Sequence, residues 1–261
     1  MLHINGRDRR RRRSLLALAL VATLPATALA AGNDILPDSI GLSALMTPSP
    51  YKRTDADIWP VPIINYDNDT VFVHGLSAGA WLWKDRRDQL SVNLYYSPLH
   101  FNPDDSDDRQ VSQLNKRRST LMGGLGWRHH TDGWGTIRTE LAADLLGNSN
   151  GLVGDAAWLY PWTRGNWSLV PGIGVTWDNA NTARYYYGIS QDEAARSGLK
   201  AGSPGSSWSP YVELSATWRF APRWSAFVTG RYTHLATGIQ DSEMVDGTGT
   251  GMLWTGVTWA F

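Results

Sequence analysis

Beyond residue 30 the chain alternates apolar and polar side chains with a period of two, the repeat of a strand whose two faces meet different surroundings. In "YVELSATWRF", residues 211–220, Val212, Leu214, Ala216, Trp218 and Phe220 share one face, while Tyr211, Glu213, Ser215, Thr217 and Arg219 share the other. "MLWTGVTWAF", residues 252–261, sets Leu253, Thr255, Val257, Trp259 and Phe261 against Met252, Trp254, Gly256, Thr258 and Ala260. "WSLVPGIGVTW" and "WSAFVTGRY" repeat the pattern, and in "IRTELAADLL" Arg138, Glu140 and Asp144 lie opposite Ile137, Leu141, Ala143 and Leu145. This periodicity predicts twelve strands, near residues 38–47, 57–66, 70–75, 78–84, 88–97, 117–129, 134–146, 151–162, 167–178, 208–220, 223–235 and 250–261. A ten-strand count, with the first segments used differently, is the alternative.

Apolar residues outward and charges inward fit an all-β fold of one kind, a transmembrane antiparallel up-and-down β-barrel. A soluble sandwich also alternates, but Trp167, Trp177, Trp218, Trp224 and Trp259 fall near strand ends on the apolar face, where an interfacial aromatic girdle sits. The connections alternate in length as well. "DND", "DRRD", "TDG", "RGN" and "AP" are short, whereas 98–116, 179–207 and 236–249 are long. An even strand number with short periplasmic turns and long outer loops puts both termini in the periplasm. "VFVHGLSAGAWLWKD" reads either as one strand kinked at Gly75 and Gly79 or as two; the two-strand reading keeps the alternation of turns and loops.

The first thirty residues are a separate matter. A basic run at residues 9–13, an apolar stretch at 15–24 and the small-x-small site Ala28-Leu29-Ala30 predict a signal peptide over 1–30, cleaved between Ala30 and Ala31. The barrel domain is then 31–261, delivered to the outer membrane of a Gram-negative cell. The apolar stretch is well short of the roughly 20 residues a spanning helix needs. No cysteine is present, so stability does not come from disulfides. With 24 basic and 24 acidic residues the chain lacks the basic excess of a nucleic-acid binder. Fourteen tryptophans and ten tyrosines reinforce the girdle reading.

Candidate chemistry is sparse. Ser149 in "GNSNG" superficially suggests a hydrolase site, yet no histidine is adjacent in sequence, and Asn and Gly at that spacing form turns. His129 and His130 are neighbours on a strand and so point to opposite faces, which rules out joint chelation of one metal there. "PDDSDD", residues 103–108, lacks the glycine and distal glutamate of a calcium loop and reads as a solvated acidic outer loop meeting lipid and cation-bridged lipopolysaccharide. Arg138, Glu140, Asp144, Glu213, Arg219 and Arg231 form an inward-facing set that either lines a pore or makes cross-strand ion pairs filling a small barrel. No catalytic residue, cofactor or metal is assigned, and the chain is expected not to be an enzyme.

One stretch breaks the strand pattern. "YYYGISQDEAARSGLKA", residues 185–201, resembles the signature of the MltA-interacting protein (MipA/OmpV) family of outer-membrane proteins: a tyrosine-glycine-hydrophobic-serine run, here Tyr185, Tyr186, Tyr187, Gly188 and Ser190, before a segment carrying Ser197 and Gly198. The resemblance extends to "TPSPYKRTDADIWPVPIINY", "NGLVGDAAWLY", "PGIGVTW", "DSEMVDG" and the aromatic C-terminus, and so covers nearly the whole chain beyond the leader. "LKAGSPGSSW" departs from the family pattern, which has an aromatic soon after the leucine. The resemblance implies a scaffold that brings the lytic transglycosylase MltA together with a bifunctional penicillin-binding murein synthase. An outer-membrane channel or small-solute binder is the alternative function. The stretch itself is expected to be a structured outer loop, with the tyrosines at the rim, a change of direction at Gly188, and a short helix over 191–197 closed by Gly198.

Overall fold

The computed structural model describes residues 36–261; the predicted leader and its cleavage point lie outside the described residues. Thirteen strand segments run in order: β1 Ser39–Thr47, β2 Asp57–Asp67, β3 Val71–His74, β4 Ser77–Lys84, β5 Asp88–Ser97, β6 Thr120–Thr131, β7 Gly135–Asp144, β8 Leu152–Leu159, β9 Trp162–Arg164, β10 Trp167–Asp178, β11 Ser207–Ala221, β12 Trp224–His234 and β13 Gly249–Ala260. Segments β8 and β9 both pair with β10 and are separated only by Tyr160 and Pro161, so they are two halves of one strand. Proline cannot donate to the ladder, which accounts for the break. Twelve strands therefore make the wall, each antiparallel to its neighbours, and β1 closes it against β13 from Ser39↔Ala260 to Met46↔Leu253.

The split in "VFVHGLSAGAWLWKD" is real: β3 and β4 form a short hairpin whose turn includes Gly75 at φ +59. A side chain at Gly75 would also collide with the Trp254 indole. The turns at 68–70, 85–87, 132–134, 165–166 and 222–223 and both described chain ends share one end of the barrel, where Phe261 N donates to Asp38 O at 3.3 Å and Asp67 N to Asp38 Oδ2 at 2.9 Å. The long connections 48–56, 98–119, 179–206 and 235–248 gather at the other end.

The outer wall is apolar and exposed, as Leu42, Ile58, Leu125, Leu141, Ile173 and Val212 illustrate. At the turn end it carries a belt of touching rings: Trp167 stacks on Trp218 with centroids 5.6 Å apart, Trp218 meets Phe220 at 5.5 Å, Phe220 meets Trp224 at 6.4 Å, and Trp259 meets Phe261 at 4.6 Å. An apolar band edged by aromatics is the surface a bilayer requires. The inner face mixes polar groups with buried apolar ones such as Val61, Ile63, Phe72 and Met122, and Trp254 there donates to Ser43 Oγ at 2.8 Å and meets the Phe227 ring edge-on.

Strand β2 has one incomplete side. It pairs along its length with β1 but meets β3 only from Asn65 to Asp67, leaving residues 58–62 without a ladder partner on the β3 side. Ile64 O accepts from Gly75 N, so the backbone groups of even-numbered β2 residues point toward that free edge. Positions 60 and 62 are both proline. Each lacks the N–H that would otherwise point to that unpaired edge. Replacing both prolines by alanine is expected to destabilise the barrel in lipid vesicles by about 1–3 kcal/mol for each orphaned donor. The urea midpoint of unfolding measures this, and an unchanged midpoint would refute it.

Candidate functional site

Among the described residues the apolar core lies not in the barrel but above it. Tyr51, Phe101, Val111, Leu114, Tyr186, Tyr187, Ile189, Leu199, Leu235, Ile239, Met244 and Val245 are buried against one another where the four long loops meet, forming a roof over the barrel mouth. Helix α1, Ala180–Tyr187, starts at Asn179, whose side chain accepts from Thr182 N at 3.0 Å. Helix α2, Gln191–Ser197, starts at Ser190 in a capping box with Glu193 and ends at Gly198, left-handed at φ 76. A third short helix, α3 Thr237–Gln240, completes the roof.

The three tyrosines therefore end a helix instead of standing at a rim. Tyr186 and Tyr187 are buried in the roof, and Tyr185 Oη accepts from Arg118 N at 2.8 Å. Tyr186 Oη donates to Arg118 O at 3.1 Å, which fastens α1 to the 98–119 loop. Gly188 has φ −81, so handedness does not require glycine there; a Cβ would strike the Arg184 carbonyl.

One ion pair ties the roof together. Arg117 Nη2 lies 2.9 Å from Glu193 Oε1, with both side chains almost wholly buried. The same guanidinium donates to Gly188 O at 3.0 Å and Asn115 O at 3.0 Å, while the carboxylate accepts from Asn115 N at 2.8 Å, Ser190 N at 2.9 Å and Ser190 Oγ at 2.9 Å. Burial alone would raise the Glu193 carboxyl, but the N–H groups of Ser190 and Asn115 and the Arg117 charge hold it below the usual glutamate value.

A second charged cluster lies on the inner wall. Arg138 lies 3.2 Å from Glu213 and 3.5 Å from Asp155; Arg231 lies 2.7 Å from Glu213 and 3.6 Å from Asp155. Tyr211 Oη donates to Asp155 Oδ1 at 2.9 Å, and the Arg231 guanidinium sits 3.9 Å from the Tyr211 ring centre. Two cations and two anions balance, drawn from β7, β8, β11 and β12.

Of the six inward charges expected from sequence, Arg138, Glu213 and Arg231 meet in this network, and Glu140 faces Asp155 across the β7–β8 register. Asp144 and Arg219 stand apart. Asp144 is at the loop end, where its carboxylate accepts from Thr120 Oγ1, from Leu146 N at 3.0 Å and from Ser149 N at 2.6 Å, closing the 145–151 loop. Arg219 is exposed at the turn end and joins no ion pair among the described residues. Ser149 donates to the same carboxylate at 3.0 Å and accepts from Gly151 N at 3.1 Å, the bonding of a loop-closing serine. His129 and His130 diverge, the first to Asp88 at 2.8 Å and the second to Thr136 at 2.9 Å. Sequence reasoning missed Asp155, although a lone carboxylate within "LVGDAAWLY" was a visible signal. It also missed the Arg117–Glu193 pair, which joins residues far apart in sequence and carries no local pattern.

Comparison with known proteins places this geometry among relatives. Residues 40–261 match the family model described as MltA-interacting protein MipA. The chain is 47% identical over 248 residues to the MltA-interacting protein of Escherichia coli (strain K12), covering 95% of this chain and 98% of that protein. It is 37% identical over 238 residues to the putative outer membrane protein YiaT of the same strain, covering 91% and 95%. Outer membrane protein OmpV of Vibrio cholerae is 25% identical over 159 residues, 61% of each chain. Among solved structures, the COG4313 outer membrane channel from Pseudomonas putida F1 superposes with TM-score 0.45 at 11% identity, covering 87% of this chain and 96% of that one.

Two outcomes are expected. A carboxyl depressed in the native state contributes stability above its unfolded value and loses it as pH falls through the native one. The roof should thus keep its hydrogen-exchange protection at neutral pH and lose it on acidification below about pH 4, whereas Glu193→Gln should start less protected and show no acid step; an identical step in both proteins would contradict this. In the lumen, Glu213→Gln leaves two guanidinium groups with one carboxylate and should cost about 3 kcal/mol. Arg219→Gln should shift unfolding by no more than about 0.5 kcal/mol, and equal losses in both variants would show that the network is not the stabilising element.

Proposed function

The chain belongs to the MltA-interacting protein family, and from that membership we propose that it is a non-enzymatic outer-membrane barrel that holds a murein-cleaving lytic transglycosylase of the MltA type beside a bifunctional penicillin-binding murein synthase. The observation that carries this reading is 47% identity, over 95% of the chain, to a protein named for interaction with MltA. In the same proposal residues 1–30 direct export and are removed at Ala30–Ala31, and the roof faces outward into the lipopolysaccharide layer.

Murein lies on the inner side of an outer membrane, so the partners meet the short-turn end. That end offers small exposed features: Arg86 and Arg87, Arg164 and Asn166, Arg223, and Trp134 at 79% exposure. Separate tips of this size suit a weak, multi-point contact better than a standard interface of about 800 Å² per partner. The signature residues Tyr186, Tyr187, Glu193 and Ser197 are buried in the roof, which supports a structural role for them. The balanced lumen network and the packed roof also favour a scaffold over an open pore.

Pull-down from solubilised envelopes is expected to enrich the transglycosylase over an unrelated barrel. Trp134→Ala combined with Arg86→Glu and Arg87→Glu should reduce that enrichment several-fold, while Glu193→Gln should leave it intact. Recovery no better than with the unrelated barrel would overturn the reading. In planar bilayers the protein is expected to show no steady conductance; a sustained open level would instead favour the channel.

A further inference from the structure

Between the roof and the lumen network lies a cavity of about 250 Å³. Its wall comes from the loop ends of β5, β6, β8, β10, β11, β12 and β13, and its ceiling from α1 and α3. Hydroxyl-bearing side chains, Ser97, Ser209 and Thr233 among them, share the lining with Leu99, Val153 and Ile239, and its exposed surface is more apolar than polar. Among the described residues Asp178, the last residue of β10, is the one ionisable group in the lining apart from the phenols of Tyr95, Tyr186 and Tyr187, and no lysine, arginine or histidine lines it.

Asp178 differs from the carboxylates below it. Asp155 and Glu213 each meet two guanidinium groups, whereas the Asp178 carboxylate meets no hydrogen-bond donor and no cation among the described residues. Ser207, directly opposite it in the β10–β11 ladder, is 6% exposed, and its Oγ is buried without a hydrogen-bond partner. The phenols of Tyr95, Tyr186 and Tyr187 lie within electrostatic reach of Asp178 and carry no positive charge. A half-buried carboxylate without a partner is costly unless a proton or a cation joins it, and the cavity leaves room for a cation. The hydroxyl lining supplies hydrogen bonds but no counter-charge, and the volume falls just below that of drug-sized ligand pockets.

We propose that this cavity is a binding site for a small hydroxyl-bearing organic ammonium ion, its charged nitrogen held by the Asp178 carboxylate and its hydroxyl by the surrounding threonines and serines. The site is independent of the scaffold reading, because it lies beneath the roof, at the end opposite the turns.

Ethanolammonium chloride serves as the probe, with ethylene glycol as its uncharged counterpart and sodium chloride to match ionic strength. For the protein purified from membranes in detergent, ethanolammonium is expected to raise the melting temperature in proportion to the logarithm of its concentration, and ethylene glycol is not. Asp178→Asn, verified as a folded barrel by its heat-modifiable gel mobility, should lose the response. Equilibrium dialysis of the unmodified protein against radiolabelled ethanolammonium should find one ion bound per chain, a readout that stands even if the variant does not fold. No saturable binding in dialysis, an equal shift with ethylene glycol, or an undiminished response in Asp178→Asn would each overturn the proposal.

Discussion

The constraint on which the molecule depends is the completion of its backbone hydrogen bonds in surroundings that offer none. In hydrocarbon an unpaired peptide group has no water to turn to, so a sheet crossing a bilayer has to close on itself. Pairing of β1 with β13 achieves that closure and inverts the usual arrangement of polarity. Apolar side chains face outward, polar ones are enclosed, and the main water-excluding core moves into the loops above the wall. The free stretch of β2 is the exception that follows the same constraint, because two prolines remove two of the three donors that the missing partner would have received.

Closure leaves an interior to be filled, and the sequence fills it with paired charge. Arg138, Arg231, Asp155 and Glu213 come from strands on one side of the barrel and neutralise one another along its inner wall. Above them the roof uses the same device once more. The Arg117–Glu193 pair is buried among neutral groups, yet nearly every polar atom in it has a partner, which makes the difference between a tolerable buried charge and a ruinous one. Because Glu193 also completes the cap of α2, one side chain fixes both the start of a helix and the docking of the loop at 98–119. Between these two satisfied clusters sits Asp178, a carboxylate without a partner, and that contrast draws attention to the cavity.

Strand bounds were legible because a strand in a barrel wall writes its two environments into alternate residues. β5 and β10 fall where the alternation put them, and Gly75 marks the hairpin turn for the reason a left-handed turn usually has. The helix at Gln191–Ser197 was also readable, from Ser190 before it and Gly198 after it. The candidate charges were only half legible. Alternation assigns Asp144, Arg219 and Glu213 to the inner face alike, but it carries no information about height along the barrel. Asp144 lies level with a loop, Arg219 with the turn end, and only Glu213 with the opposed arginines. The tyrosine run was misjudged for a related reason: three aromatics in a row look like a rim, and nothing local shows that a helix turns two of them into the roof core.

The sequence by itself determined the wall: period-two patterning, turn residues and aromatic strand ends are local properties, and each strand reports its own surroundings without reference to the others. It also carried the family resemblance, in motifs that keep their order along the chain. What only the tertiary structure decided was which distant groups meet. Arg117 and Glu193 are brought together by the packing of two loops, the lumen network by the stagger of strands around a closed barrel, and the solitude of Asp178 by a cavity lining that holds no cation among the described residues. Pairing of charges depends on distance in space, and that distance is set by closure and register rather than by position in the chain.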